Sequence, residues 1–457
     1  MNIKLTLLVI CLSFSSFCYS INNSIVIKKS GNESVSVLDF GAVGDGIADD
    51  SDAFQKAILY CINNNQVLYV PKTAKSYNLS KTIRVSLARG NKIKIISNQA
   101  IITPKITDIA TIYKLTSFKE HVFISIGREF NSIKIFNNSQ DNIGTEINIS
   151  GLIIDGKNEK SIENVTSYDN DIYIGGQFVA EKVSLENCVF KNIFGYGVRI
   201  HEVSESKIKK CKFINVGGRG LTPFANKSDL DAFGDAIFHA KMNTNANVLI
   251  EDCLFDGKMN NNKRSRSALT FEFSLFPYKV NLRNLDIKGY AKCLHIEEIA
   301  ATVFQLENVK MSDFNFGIVN TLNNASEVYL NNCVVNVGIN DGNDFGDALA
   351  FLNYMSSAKI EVKNSLLNFK GRQAAYQSAV GLVKVENSTI NGNNTNFFFA
   401  DGNTVFLHCK FINFGGPGMS FFSNNPANLY QIKSSIFKGN SISTVKATNV
   451  GLEIKNN

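Results

Sequence analysis

The chain has 457 residues, 44% of them hydrophobic, and a formal net charge of +7. That length is too great for one ordinary core unless the chain repeats, because each coil of a repeat protein buries its surface only against its neighbours. Basic residues are interspersed with acids, which excludes nucleic acid as a partner and leaves a mild attraction to acidic polymers.

In chain order, Met1 to Lys4 carries positive charge, Leu5 to Leu12 is apolar, and Ser13 to Ser20 follows. This pattern predicts a signal peptide over residues 1–20, cleaved after Ser20, and hence a secreted or periplasmic protein. The apolar run is too short for a membrane span and no later stretch offers one. Residues 21–66 are read as an N-terminal segment ending in a capping helix. Phe54, Ala57, Ile58 and Cys61 share one helical face, and Ser51 or Asp52 is placed to cap its start. Asp45, Asp49 and Asp50 are read as structural.

From residue 67 to 457 a phrase recurs: alternating apolar residues, a polar residue that is mostly Asn, Cys or another small residue, then x-Phe or x-Ile and a turn. Val183 to Phe190, Lys207 to Phe213, Val248 to Phe255, Val328 to Val335 and Val405 to Phe411 are examples. The step is usually about 21 to 26 residues, the period of a solenoid. Alternation with period two inside the phrase means strands. The fold expected is all-β, a single-stranded right-handed parallel β-helix with a short N-terminal capping helix. Asn192, Asn215, Gly257, Gly289, Asp313, Gly392, Asn413 and Gly439 follow the phrases and suit a bend on each coil. Cys188, Cys211, Cys253, Cys333 and Cys409 share one register with Leu285, Val309, Ser365 and Ser388, so they read as an internal stack of free thiols.

Residues 35–58, from Val35-Ser-Val-Leu-Asp-Phe-Gly-Ala-Val-Gly-Asp-Gly to Lys56-Ala-Ile58, together with Val67 to Pro71 and Tyr77 to Ile83, resemble the opening of the pectate-lyase-like superfamily. That group includes polygalacturonase-type glycoside hydrolases and phage tailspikes. The resemblance implies a right-handed parallel β-helix capped by this segment. Shorter phrases, Asp171 to Gly176, Gly234 to Ile237 and Leu294 to Glu297, are similar to the β-helix protein of colanic acid biosynthesis clusters, which implies a link to exopolysaccharide. The polygalacturonase motifs Asn-Thr-Asp, Gly-Asp-Asp, Gly-His-Gly and Arg-Ile-Lys do not occur, so the resemblance implies the fold more than the activity.

Enzymes of this superfamily carry their sites on an outer face of the strand that precedes each phrase. Alternation in Gly197 to His201 and Leu294 to Glu298 places Val198, Ile200, Leu294 and Ile296 inward. In Ala268 to Phe273 it places Leu269, Phe271 and Phe273 inward. In Asp235 to His239, Ala236 and Phe238 are expected inward, with Asp235 and His239 outward. The outward stripe is then Arg199, His201, Asp235, His239, Glu272, His295 and Glu297. Asp235, His239, Glu272, His295 and Glu297 are the catalytic candidates. Arg199, His201 and the loop residues Arg264 and Arg266 are candidates for binding substrate carboxylates.

A hydrolase would use two carboxyl groups on successive coils, such as Asp235 with Glu272 or Glu272 with Glu297. A lyase would use a His base with Arg or Ca²⁺ to neutralise a uronate; otherwise no cofactor is expected. Tyr173, Tyr196, Phe224, Tyr278 and Tyr290 are candidate sugar platforms in a chain without Trp. The expected function is cleavage of an acidic polysaccharide or exopolysaccharide outside the cell. The alternative is a non-catalytic β-helix that binds or guides such a polymer.

Overall fold

The computed structural model describes residues 34–105, 119–127, 142–157, 171–218, 234–257, 264–322, 324–338, 348–354, 356–370, 374–393, 397–414, 418–422, 429–438, 445–448 and 451–455. The expected signal peptide, Phe224 and Gly439 lie outside the described residues. Of the described residues, 36 strands join in one continuous sheet system, and every strand pairing is parallel. Each strand pairs with its equivalents one coil away. Lys182–Glu186, for example, lies between Glu146–Ser150 and Glu205–Lys209. The fold is a right-handed parallel β-helix, the hand that parallel crossovers adopt.

Long strands turn the corners. Val189–His201 pairs through its first half with Ile153–Asp155 and Lys212–Gly217, and through its second half with Asp171–Val179 and Asp235–Ala240. The alternation seen in the sequence fills the interior: Val248, Ile250, Val280, Leu282, Phe304, Leu306, Val328 and Leu330 are all buried. Phe190, Phe213 and Phe255 stack ring on ring at 5.2 and 5.1 Å.

All seven cysteines of the described residues are buried and free. The Cys register also links coils. The Cys211 N–H donates to Cys253 Sγ at 3.4 Å, Cys333 N–H to Ser365 Oγ at 3.0 Å, and Ser365 N–H to Ser388 Oγ at 3.0 Å. In these pairs the Cys or Ser side chain accepts the bond from the neighbouring coil, whereas Leu285 and Val309 fill the same register by packing alone.

Two bends per coil use the left-handed region. Asn192, Asn215, Asp313 and Asn413 have φ of 54°, 56°, 52° and 58°. Asn187, Asp252, Asn284, Asn308 and Asn332, just before the Cys register, form a second row with φ between 52° and 56°. Gly289 takes the first bend with φ of 73°, whereas Gly257 and Gly392, at the same register, do not have a left-handed φ. A Cβ on Gly257 would lie 2.6 Å from the Tyr290 ring, and one on Gly392 2.4 Å from Phe414, so these glycines admit a neighbouring aromatic.

The helix Ser51–Asn64 packs Phe54, Ala57, Ile58 and Cys61 onto the first coils. Its N-cap is Asp50, one residue before the expected Ser51 or Asp52, and no side chain caps it. Asp50 instead turns back to accept hydrogen bonds from the N–H groups of Val43, Gly44 and Asn78. Asp45 accepts from Ile47 and Ala48, and Asp49 from Ser51 and Ser80. All three acids hold the cap together. No helix of the described residues is long and apolar enough to cross a membrane.

Candidate functional site

Four strands carry the predicted stripe, Val189–His201, Asp235–Ala240, Ser265–Ser274 and Asp286–Ile299, and Lys310–Thr321 follows on the next coil. Their pairing fixes which residues share a row. Val198, Ile237, Leu269, Leu294 and Ile318 form one row, and Ile200, His239, Phe271, Ile296 and Asn320 another. The apolar members of both rows belong to the core.

His239 is therefore a core residue, which corrects the expected alternation. Its ring stacks on Phe271 at 5.1 Å, and Nε2 lies 3.0 Å from Ser206 Oγ. Burial lowers its pKa to about 3, so it stays neutral. Phe238, expected inward, belongs to a separate apolar cluster with Tyr196 and Ala240. The reason is local: Ala236, Ile237 and Phe238 are three consecutive apolar residues and fit either parity. Only the register with Val198 and Leu269 decides between them.

Phe273 also departs from its expected inward place. It sits on the same separate cluster, partly buried, at a left-handed φ of 53° that breaks the alternation after Glu272.

The other rows bring chemistry together. Thr270, His295 and Val319 are cross-strand partners, as are Glu272, Glu297 and Thr321. His295 Nε2 lies 2.9 Å from Glu297 Oε2, and its Nδ1 lies 3.5 Å from Glu272 Oε1. One donor atom from each of the three falls within 4.8 Å of the others. Arg266 Nη1 donates to Asp235 Oδ1 at 2.7 Å, and both side chains are buried. Lys292, which the sequence reading passed over, is cross-strand from Ser267, itself paired with Asp235. Its signal was present in the same register argument, two coils beyond Asp235. Glu297 is the most open member, with a side chain 23% exposed.

The electrostatics separate the two glutamates. Burial raises the Glu272 pKa to about 8; Arg266 opposes this, and the charges of Asp235 and Glu297 add to it. Burial also acts against ionisation of Glu297, but its hydrogen bond to His295 and the nearby cations outweigh that and lower its pKa. Asp235 is raised by burial despite its bond to Arg266. His295 is lowered to about 4, by burial first and then by Lys292. The unsatisfied atoms of the cluster include Asp235 Oδ2 and His295 Nδ1, neither of which has a hydrogen-bond partner.

Arg199 and His201 flank this cluster. Arg199 stacks on the Tyr196 ring at 3.9 Å, and the His201 ring lies 5.9 Å from Phe238. Burial, then Arg199, hold His201 well below its usual pKa. Arg264 is engaged elsewhere, with Nη2 2.9 Å from Asp313 Oδ1. Tyr278 and Tyr290 are core residues. Tyr173 packs partly buried beside Phe123 and His121.

Glu272, His295 and Glu297 offer two carboxylates and an imidazole. That set is short of the six to eight oxygens Ca²⁺ takes. Arg266 and Lys292 already supply positive charge beside it, which disfavours a further cation. The arrangement suits proton transfer between an un-ionised and an ionised carboxyl group.

No family model matches the sequence, and no curated protein matches it. Solved structures do. The chain is similar to PfbA, a surface adhesin of Streptococcus pneumoniae, at 15% identity over 86% of this chain and 93% of that one, with a TM-score of 0.47. It is similar to the family 28 exopolygalacturonase of Yersinia enterocolitica at 12% identity over 93% and 78%, TM-score 0.45. It is similar to the Dettilon tailspike protein at 10% identity over 89% and 72%, TM-score 0.44. Nothing in these comparisons bears on the likeness to the colanic acid cluster protein. Such distant likenesses leave function to be argued from this chain's own residues.

Proposed function

We propose that the chain is an exported enzyme that cleaves glycosidic bonds of an acidic polysaccharide by hydrolysis, at Glu272 and Glu297. The observation that carries this is the pair itself: two carboxyl groups with donor atoms within 4.8 Å, one pushed to about 8 and the other lowered. Glu272 keeps its proton at neutral pH and gives it to the leaving glycosidic oxygen. Glu297, ionised, attacks the anomeric carbon. Water then breaks the glycosyl ester as Glu272 takes back a proton. The short gap is nearer the retaining separation of about 5–5.5 Å than the inverting one of about 6.5–9.5 Å. His295 holds Glu297 in place, with a proton on Nε2 donated to it. Arg266 and Lys292 supply the positive charge that an acidic sugar requires. The expected signal peptide supports export.

A lyase is the second reading. His295, neutral at its lowered pKa and next to Arg266 and Lys292, has the character of a base beside a site for a uronate. One experiment separates the readings. The purified chain is incubated with polygalacturonate, alginate and hyaluronan, and both reducing ends and ultraviolet absorbance of unsaturated ends are followed. Hydrolysis gives reducing ends without that absorbance, and Glu272→Gln removes them. Absorbance rising with the ends selects the lyase. Binding without cleavage overturns both and leaves a polymer-guiding protein.

A further inference from the structure

A groove separate from the carboxylate cluster lies on three consecutive strands of another side of the coil: Lys279–Arg283, Val303–Glu307 and Glu327–Asn331. Val280, Leu282, Phe304, Leu306, Val328 and Leu330 point from these strands into the core. The residues between them therefore stand outward. In register they make two rows, Asn281–Gln305–Tyr329 and Arg283–Glu307–Asn331. With Asn284 and Asn308 at the strand ends, these rows line a cavity of about 630 Å³.

The coils on either side are covered differently. Before the groove, Lys207 pairs with Glu205 and Lys209 with Glu251. After it, Lys359 pairs with Glu361 and Lys384 with Glu386. Over the groove this lysine–glutamate pattern stops, and the middle row becomes amide, amide, aromatic. Among the described residues, no hydrogen bond or ion pair engages the side chains of Asn281, Arg283 or Gln305. Glu307 is fixed by the side-chain amides of Asn331 and Asn332 at 2.8 and 2.7 Å. The Tyr329 hydroxyl is tied to Glu327, which holds the ring on the face.

The geometry points to a binding groove for an extended glycan of uncharged sugars. Amides and a guanidinium offer paired donors and acceptors that match neighbouring hydroxyls on a sugar ring. A tyrosine ring offers an apolar face to its C–H side. Arg283 and Glu307 are cross-strand neighbours of opposite charge, so the groove carries no excess of positive charge that would favour a uronate over a neutral sugar. The carboxylate cluster, with Arg266 and Lys292, differs in this respect. Strands stack at about 4.8 Å, so the row from Asn281 to Tyr329 runs about 10 Å along the axis of the coil, the direction in which the glycan would lie. The groove uses other strands than the cluster, so binding there does not depend on cleavage.

Affinity electrophoresis of the full chain in gels containing starch, mixed-linkage β-glucan, galactomannan or xylan tests this, with polygalacturonate as the charged comparison. At least one neutral polymer is expected to retard the protein. Tyr329→Ala and the double variant Asn281→Ala/Gln305→Ala should each weaken that retardation at least tenfold at unchanged melting temperature. Tyr329→Phe should restore it, and Glu272→Gln should behave as wild type. Absence of retardation by every neutral polymer overturns the proposal. So does retardation that survives both groove variants, or that is lost with Glu272→Gln.

Discussion

Glu272 and Glu297 are the same residue type one coil apart, cross-strand partners, yet they ionise in opposite senses. The cause is position: the Glu272 side chain is only 9% exposed, whereas Glu297 accepts from His295 and is 23% exposed. Activity should therefore follow a bell. It should fall as pH rises through about 8, where Glu272 loses its proton, and fall on the acid side once pH drops below the lowered pKa of Glu297, under its ordinary 4.5. A pH–rate profile checks both limbs. In Glu272→Gln the alkaline limb should vanish with a rate loss of about 10²–10⁴-fold, the usual contribution of a general acid.

The same shift has a stability sign. A carboxyl whose pKa is raised on folding binds more protons in the folded state, so its contribution is full below 4.5 and is lost as pH rises through about 8. The melting temperature should decline across that window in wild type and be flatter in Glu272→Gln. Period-two alternation was enough to place Glu272, His295 and Glu297 off the core rows, because Leu269, Phe271, Leu294 and Ile296 before or beside them have clear parity. It failed for His239, whose run of three apolar neighbours has no parity of its own. It also missed Lys292, beside a corner where the alternation shifts.

At the scale of the element, the bends carry information that the strands do not. The Asn of each repeated phrase looked like a polar spacer before the Cys register. It is a left-handed residue, and its amide often bonds to the coil below: Asn308 donates to Asn284 Oδ1 at 3.1 Å, and Asn284 to Asp252 Oδ1 at 2.9 Å. The sequence displayed the residue type, but φ is not visible in a strand pattern, so one of the two bend rows went unread. Asn308→Ala should destabilise the protein by about 1–2 kcal/mol, the penalty of a Cβ in the left-handed region without a local polar side chain. Asn308→Gly should recover most of that loss, since glycine enters the region freely. Urea unfolding midpoints of the two variants against wild type provide the measurement. Equal losses for Ala and Gly would assign the stability to the amide ladder and not to the backbone.

At the scale of the whole molecule, a stack of coils is as stable as its neighbour contacts, and its ends are its weak points. The first coil here is shielded by the helix Ser51–Asn64, and that helix is tied to the coil through Asp50. Asp50 is buried, accepts from three backbone N–H groups, and connects the Gly41–Gly46 loop with the strand Ser76–Leu79. Replacing it by Ala strands those donors. Bonds to a charged acceptor contribute about 1.5–3 kcal/mol each, so the cap should loosen well before the body of the molecule does. Hydrogen exchange locates the effect. In Asp50→Ala, exchange should quicken in Ser34–Ser36, Val67–Val70 and Ser76–Leu79 while Glu327–Asn331 keeps its protection. The freed first strand should also promote association, visible as rising light scatter at constant ellipticity, because an uncovered strand edge pairs with other chains. Uniformly faster exchange along the entire chain would mean instead that the coils unfold as one cooperative block, and that the cap is no more separable than any other turn of the helix.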